Sequence, residues 1–133
     1  MPEPRDVIQS LYDAFARGDA GFVLGLLAAD VDWREAEGSP LDSGNPYSSP
    51  QQVGEGVFGR LLSVFDDFAA TPEEILAEGN RVAAFGRYTA VHKETGDELD
   101  APFAHSWTLD DGKIVAFQQY TDTEQHVRLL RGE

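Results

Sequence analysis

The chain has 133 residues, 41% of them hydrophobic and 11% aromatic, with no cysteine and a formal net charge of -14. That length suits a single domain over residues 1–133, and the apolar fraction suits a packed core rather than a disordered chain. The acidity argues against nucleic acid, which needs a basic face, and against an anionic membrane surface; the lack of cysteine excludes disulfides, thiolate nucleophiles and cysteine-ligated metals.

The first residues, MPEPRDVIQSLYDAF, place no apolar stretch behind a basic end. No later run is long and apolar enough to span a bilayer, so the expected location is cytoplasmic. Pro4 suits a first helical turn, and Val7, Ile8, Leu11 and Phe15 recur at helical spacing until Gly18. Asp19 is an N-cap for a short second helix with Phe22, Val23, Leu26 and Leu27 inside. From Val31 to Glu37 the pattern alternates as in a strand. Residues 38–49, rich in Gly, Ser, Pro and Asn, read as a loop in the position of a lid. Ser49-Pro50 opens a third helix with Val53, Val57, Leu61, Val64, Phe65 and Phe68 on its inner face.

The remainder reads as strand. Ile75 to Glu78 leads into a Gly79-Asn80 turn, and Arg81 to Val91 forms the next strand. The segment DELDAPFAHSWTLDDGKIVAFQQYTD, residues 97–122, then reads as two long antiparallel strands joined by an Asp-Asp-Gly turn. This order predicts an α+β fold, an antiparallel sheet with helices on one face. A histidine, a tryptophan and a carboxylate on neighbouring strands of that last hairpin can build one concave polar site in an apolar wall.

The helix ending in ARGDAGFVLGLLAADVDW, the Gly-rich loop, the EGNRVAAFGRYTA hairpin and APFAHSWTLDDGKIVAFQQYTD, in this order, resemble the nuclear-transport-factor-2-like superfamily. The branch they are most similar to is SnoaL-like, with polyketide cyclases and relatives of ketosteroid isomerase. The resemblance covers nearly the whole chain. It implies a curved antiparallel sheet wrapped around helices to form a cone-shaped pocket, and a homodimer through the sheet's outer face.

It also implies roles for particular residues. The isomerase base, on the first strand, matches Glu35. The isomerase tyrosine of the first helix falls on Leu11, with Tyr12 one step off, and its aspartate falls on Ala104, next to His105. The cyclase pair of a histidine and a terminal aspartate matches His105 and Asp122. Glu35, His105 and Asp122 are therefore the candidate catalytic residues, and Tyr12, Trp33, Phe65, Phe85, Trp107 and Gln119 the candidate pocket wall.

Each residue has a plainer reading beside the functional one. Glu35 is either a buried base of raised pKa or a rim carboxylate paired with Arg34 or Arg60. His105 is either a working imidazole or a satisfied core residue, and strict alternation in the isomerase frame would turn Ala104, Ser106 and Thr108 into the pocket instead. Asp122 is either a catalytic carboxylate or the N-cap of a last helix, TEQHVRLLR.

Two motifs are set aside. GEGVFG at residues 54–59 matches a dinucleotide-binding fingerprint but sits in a helical pattern with no strand before it; its glycines either let this helix pack closely or loosen its first turns near the pocket mouth. Asp30-Val31-Asp32 lacks the glycine of a calcium loop, and His92, His105 and His126 lack metal-ligand spacing. No cofactor and no metal are expected. Two functions remain: cofactor-independent proton transfer (isomerase, cyclase or dehydratase type) on a small hydrophobic carbonyl compound, or a non-catalytic hydrophobic-ligand-binding or dimerisation module.

Overall fold

The computed structural model describes residues 3–130. Helix α1 (Pro4–Ala16) carries proline in its first turn and buries Val7, Ile8, Leu11, Tyr12 and Ala14. Gly18, at φ 78°, turns the chain, and Asp19 Oδ1 accepts the Phe22 N–H at 3.0 Å to cap α2 (Ala20–Gly25).

Strand β1 (Leu27–Arg34) starts at Leu27 rather than Val31 and ends at Arg34 rather than Glu37. A register shift between Leu27 and Asp32 breaks the alternation that would have announced its first half. At the other end the Asn45 side chain takes over from a partner strand: it accepts the Glu35 N–H and donates to the Glu35 carbonyl, both at 2.8 Å. The loop beyond is strapped down rather than free. After a 3-10 turn at Pro40–Gly44, the Tyr47 and Trp33 backbones exchange hydrogen bonds of 2.8 and 3.0 Å, and the Tyr47 hydroxyl donates to the Leu41 carbonyl at 2.7 Å.

The third helix runs as α3 (Pro50–Val53), a π-helical segment (Gly54–Phe58) and α4 (Gly59–Val64). It ends earlier than its hydrophobic spacing predicts. Phe65 and Phe68 belong instead to strand β2 (Phe65–Glu78), which pairs with β3 (Arg81–His92) from Phe65↔His92 to Glu78↔Arg81. A long cross-strand ladder outweighs a locally helical pattern of apolar residues. Strands β4 (Glu98–Asp110) and β5 (Lys113–Thr121) and helix α5 (Thr123–Leu130) complete the chain.

The sheet order is β1-β5-β4-β3-β2, with β1 parallel to β5 and the other pairs antiparallel. The fold is thus α+β around a mixed sheet rather than a wholly antiparallel one. Helix α1 packs across β2 and β3. On β4 the odd positions from Leu99 to Leu109 are buried, and the β3–β4 register runs unbroken from Arg81↔Thr108 to Val91↔Glu98. Phe103, His105 and Trp107 therefore face inward, and Ala104, Ser106 and Thr108 face the other way.

Candidate active site

Between α1, the π-helical segment and the inner face of the sheet lies a cavity of about 50 Å³, and its walls are mostly aromatic and aliphatic. Most of its polar atoms form one hydrogen-bonded chain. Gln119, on β5, accepts the Ala36 N–H at 3.1 Å and donates its amide to the Tyr88 hydroxyl at 2.8 Å. The backbone donor fixes which end of the Gln119 amide is oxygen. The Tyr88 hydroxyl, from β3, meets Nε2 of His105. Nδ1 of His105 lies 2.5 Å from the Tyr12 hydroxyl on α1, which also accepts the Trp107 indole N–H at 3.2 Å.

Burial sets the charge states of this array. His105 is buried, and loss of hydration lowers its pKa to about 3, so the imidazole is neutral at physiological pH. Desolvation raises both phenols, and the nearby Glu35 carboxyl raises Tyr88 further. A neutral imidazole has one N–H and one bare nitrogen. It therefore donates to one phenol and accepts from the other. The phenol that receives the imidazole N–H also receives an N–H from Trp107 or Gln119. Its own O–H proton then has no acceptor among the described residues and is available to a molecule in the cavity.

Glu35 stands just past the end of β1, with only 2% of its surface exposed. The Trp33 indole N–H donates to Oε2 at 3.0 Å, and Oε1 makes no hydrogen bond among the described residues. Burial raises the carboxyl pKa to about 7, the Trp33 bond opposing it only in part. Neither Arg34 nor Arg60 pairs with it: Arg34 bonds the exposed Asp32 at 2.8 Å.

Six of the sequence-derived candidates meet in this cavity: Glu35, His105, Tyr12, Trp33, Trp107 and Gln119. Three do not. Phe85 is 40% exposed, because the inward frame of β3 is Val82, Ala84, Gly86, Tyr88 and Ala90, and Phe85 falls between them. Phe65 is core, starting β2 away from the cavity wall. Asp122 precedes α5 as its cap: its Oδ2 accepts from the Gln125 side chain at 2.9 Å. That bond, with backbone N–H groups of Gln125 and Glu124, holds Asp122 below the usual carboxylate range. His105 differs from expectation in another way, since both ring nitrogens are taken by phenols.

Tyr88 and His126 were not singled out from the sequence. The alternation Val82, Ala84, Tyr88, Ala90 carries the signal for Tyr88, whereas nothing local marks His126. Among the described residues no cluster of His, Asp and Glu could hold a metal ion, and no helix is long and apolar enough to cross a membrane.

The sequence profile of the SnoaL-like domain matches residues 8–117. The chain belongs to the SnoaL-like domain family. Among solved structures similar to this SnoaL-like chain, an NTF2-like protein of Burkholderia thailandensis is 29% identical, with 98% of each chain covered and a TM-score of 0.90. An NTF2-like protein of unknown function from Burkholderia pseudomallei is 26% identical, with 98% of each covered and a TM-score of 0.85. TerC, co-crystallised with polyporic acid, is 26% identical over 97% of this chain and 99% of its own, with a TM-score of 0.82. No curated protein sequence matches the chain.

Proposed function

We propose that this SnoaL-like protein is a cofactor-independent enzyme that moves a proton on a small hydrophobic carbonyl compound, in a reaction of the isomerase, cyclase or dehydratase type. The observation that carries the reading is a buried carboxyl of raised pKa sharing one apolar cavity with a phenol–imidazole–phenol array. The ionised Glu35 Oε1 takes a proton from the carbon beside the carbonyl. The C–H electron pair becomes the enolate double bond, and the carbonyl π pair moves to oxygen. The spare phenol O–H from Tyr12 or Tyr88 stabilises that oxygen, and Glu35 returns the proton to a carbon of the substrate. His105 acts here as a positioning residue, holding both phenols and keeping one proton turned outward. TerC's co-crystallisation with polyporic acid supports a small-molecule occupant for the cone.

The test is solvent-deuterium uptake at the carbon beside the carbonyl of small ketones and enones, read by mass spectrometry. The native chain is expected to accelerate uptake, more strongly as pH rises through about 7 and Glu35 ionises. Glu35→Gln is expected to lose about 10²-fold or more. No acceleration across the panel, or uptake unaffected in Glu35→Gln, overturns the assignment.

The small volume favours a second reading. At about 50 Å³ the cavity is nearer to a few waters than to an aromatic ring, as a binding module opened only by its ligand would be. Ligand binding without any deuterium uptake would select it. In either case the proposed assembly is a homodimer through the outer sheet face. Phe85, Ala104 and Tyr120 stand in one cross-strand row there, with Phe85 40% and Tyr120 59% exposed. Sedimentation should show a dimer that Phe85→Glu dissociates.

A further inference from the structure

His126 lies on α5, outside the phenol–imidazole chain, yet it lines the same cavity and is only 2% exposed. Its Nδ1 stands 3.1 Å from the carbonyl oxygen of Asp122. A backbone carbonyl can only accept, so Nδ1 carries the proton of the neutral ring. Nε2 is then a bare acceptor, and it has no hydrogen-bond partner among the described residues. Burial favours the neutral form, lowering the His126 pKa despite the adjacent Asp122. The ring sits edge-on to Tyr88, with centroids 5.9 Å apart. The cavity thus sets a fixed acceptor beside a phenol that belongs to the donor array.

We infer that His126 Nε2 is a specificity-determining acceptor that selects carbonyl compounds carrying a hydroxyl group, the carbonyl oxygen taking the phenol proton and the substrate O–H donating to His126. This deepens the proton-transfer reading by naming its substrate class, hydroxy-ketones and hydroxy-enones, and rests on that reading for the carbonyl end alone. A molecule lacking the hydroxyl leaves Nε2 desolvated and unpaired, which is how buried polar groups discriminate against deoxy analogues. Asp122 contributes through its backbone, which sets the tautomer.

The test uses acetophenone, 3-hydroxyacetophenone and 3-methoxyacetophenone as probes, with dissociation constants from calorimetry. The native chain is expected to bind the hydroxy compound about tenfold more tightly than the other two. His126→Leu should abolish that preference while retaining acetophenone binding, and His126→Gln, whose amide oxygen can accept, should recover part of it. A native chain indifferent to the hydroxyl, a preference surviving in His126→Leu, or no binding by any probe overturns the inference. Nitrogen-15 NMR of the native chain is a check that needs no variant to fold: it should show Nδ1 protonated and Nε2 bare, with Nε2 shifting when the hydroxy compound is added. A proton on Nε2 would overturn the inference. Failure of proton transfer is separately visible, since a hydroxyl preference without deuterium uptake sinks the enzyme reading and leaves the acceptor in place.

Discussion

Glu35 and His105 are both buried, and burial displaces their titrations in opposite directions. The carboxyl is raised from 4.5 to about 7, so the folded state holds its proton more tightly than the unfolded chain does. Stability from this group is present at low pH and is lost as pH rises from about 4.5 to 7. The imidazole is lowered from 6.5 to about 3, so here the unfolded chain binds the proton more tightly. Its contribution is complete above about 6.5 and is lost as pH falls towards 3. Between about 4.5 and 6.5 the two slopes oppose each other. His126, also lowered by burial, adds to the histidine slope, so the stability of the native chain in urea should rise less steeply with pH across that window than that of Glu35→Gln. By pH 8 the variant should exceed the native chain by on the order of 3 kcal/mol. A variant profile parallel to the native one would show that Glu35 ionises normally.

At the scale of elements, close approach around glycine sets what can be changed. A Cβ on Gly56 would lie 2.5 Å from the Tyr47 ring, where the π-helical segment presses on the strapped loop. A Cβ on Gly86 would lie 2.1 Å from the Thr71 carbonyl oxygen and 2.8 Å from the Phe103 ring. Gly56→Ala and Gly86→Ala should each cost about 1–3 kcal/mol in denaturant unfolding. Gly25→Ala, with nothing within 4 Å, should cost nothing measurable. In the GEGVFG motif, Gly54 and Gly56 both sit in close packing, Gly54 with Leu24 at 2.9 Å from a would-be Cβ, within a segment that is π-helical. Legibility at this scale followed the regularity of the signal. Helix α1, the Asp19 cap, β3 and the β4–β5 hairpin were readable because one period or cap governs each. The first half of β1 and of β2 were not, because a register shift broke one alternation and helical spacing overlay the other.

For the whole molecule, the net charge of -14 makes compaction work against self-repulsion. Added salt should raise the thermal midpoint by screening it, most steeply below about 0.15 M. A midpoint independent of salt would mean that screening weakens attractive pairs such as Arg87–Asp100, at 2.8 Å, as much as it relieves the repulsion. The family match, over residues 8–117, spans helices and sheet together, whereas the site is a set of single side chains drawn from α1, the strands and α5. That difference in extent explains why fold and site were legible to different degrees.

The sequence by itself determined the helix-then-sheet order, the Asp19 cap and the last hairpin with its turn, because periodicity, caps and turns act between near neighbours, but left open which face of that hairpin and which setting of Glu35 the cavity would use. Only the tertiary structure decided that His105 is held between Tyr12 and Tyr88, that Asp122 is a cap and Phe85 a surface residue, and that His126 reaches the cavity. Those facts depend on contacts such as Tyr12 with His105, which lie 93 residues apart, and on a frame of alternation that strand pairing alone sets.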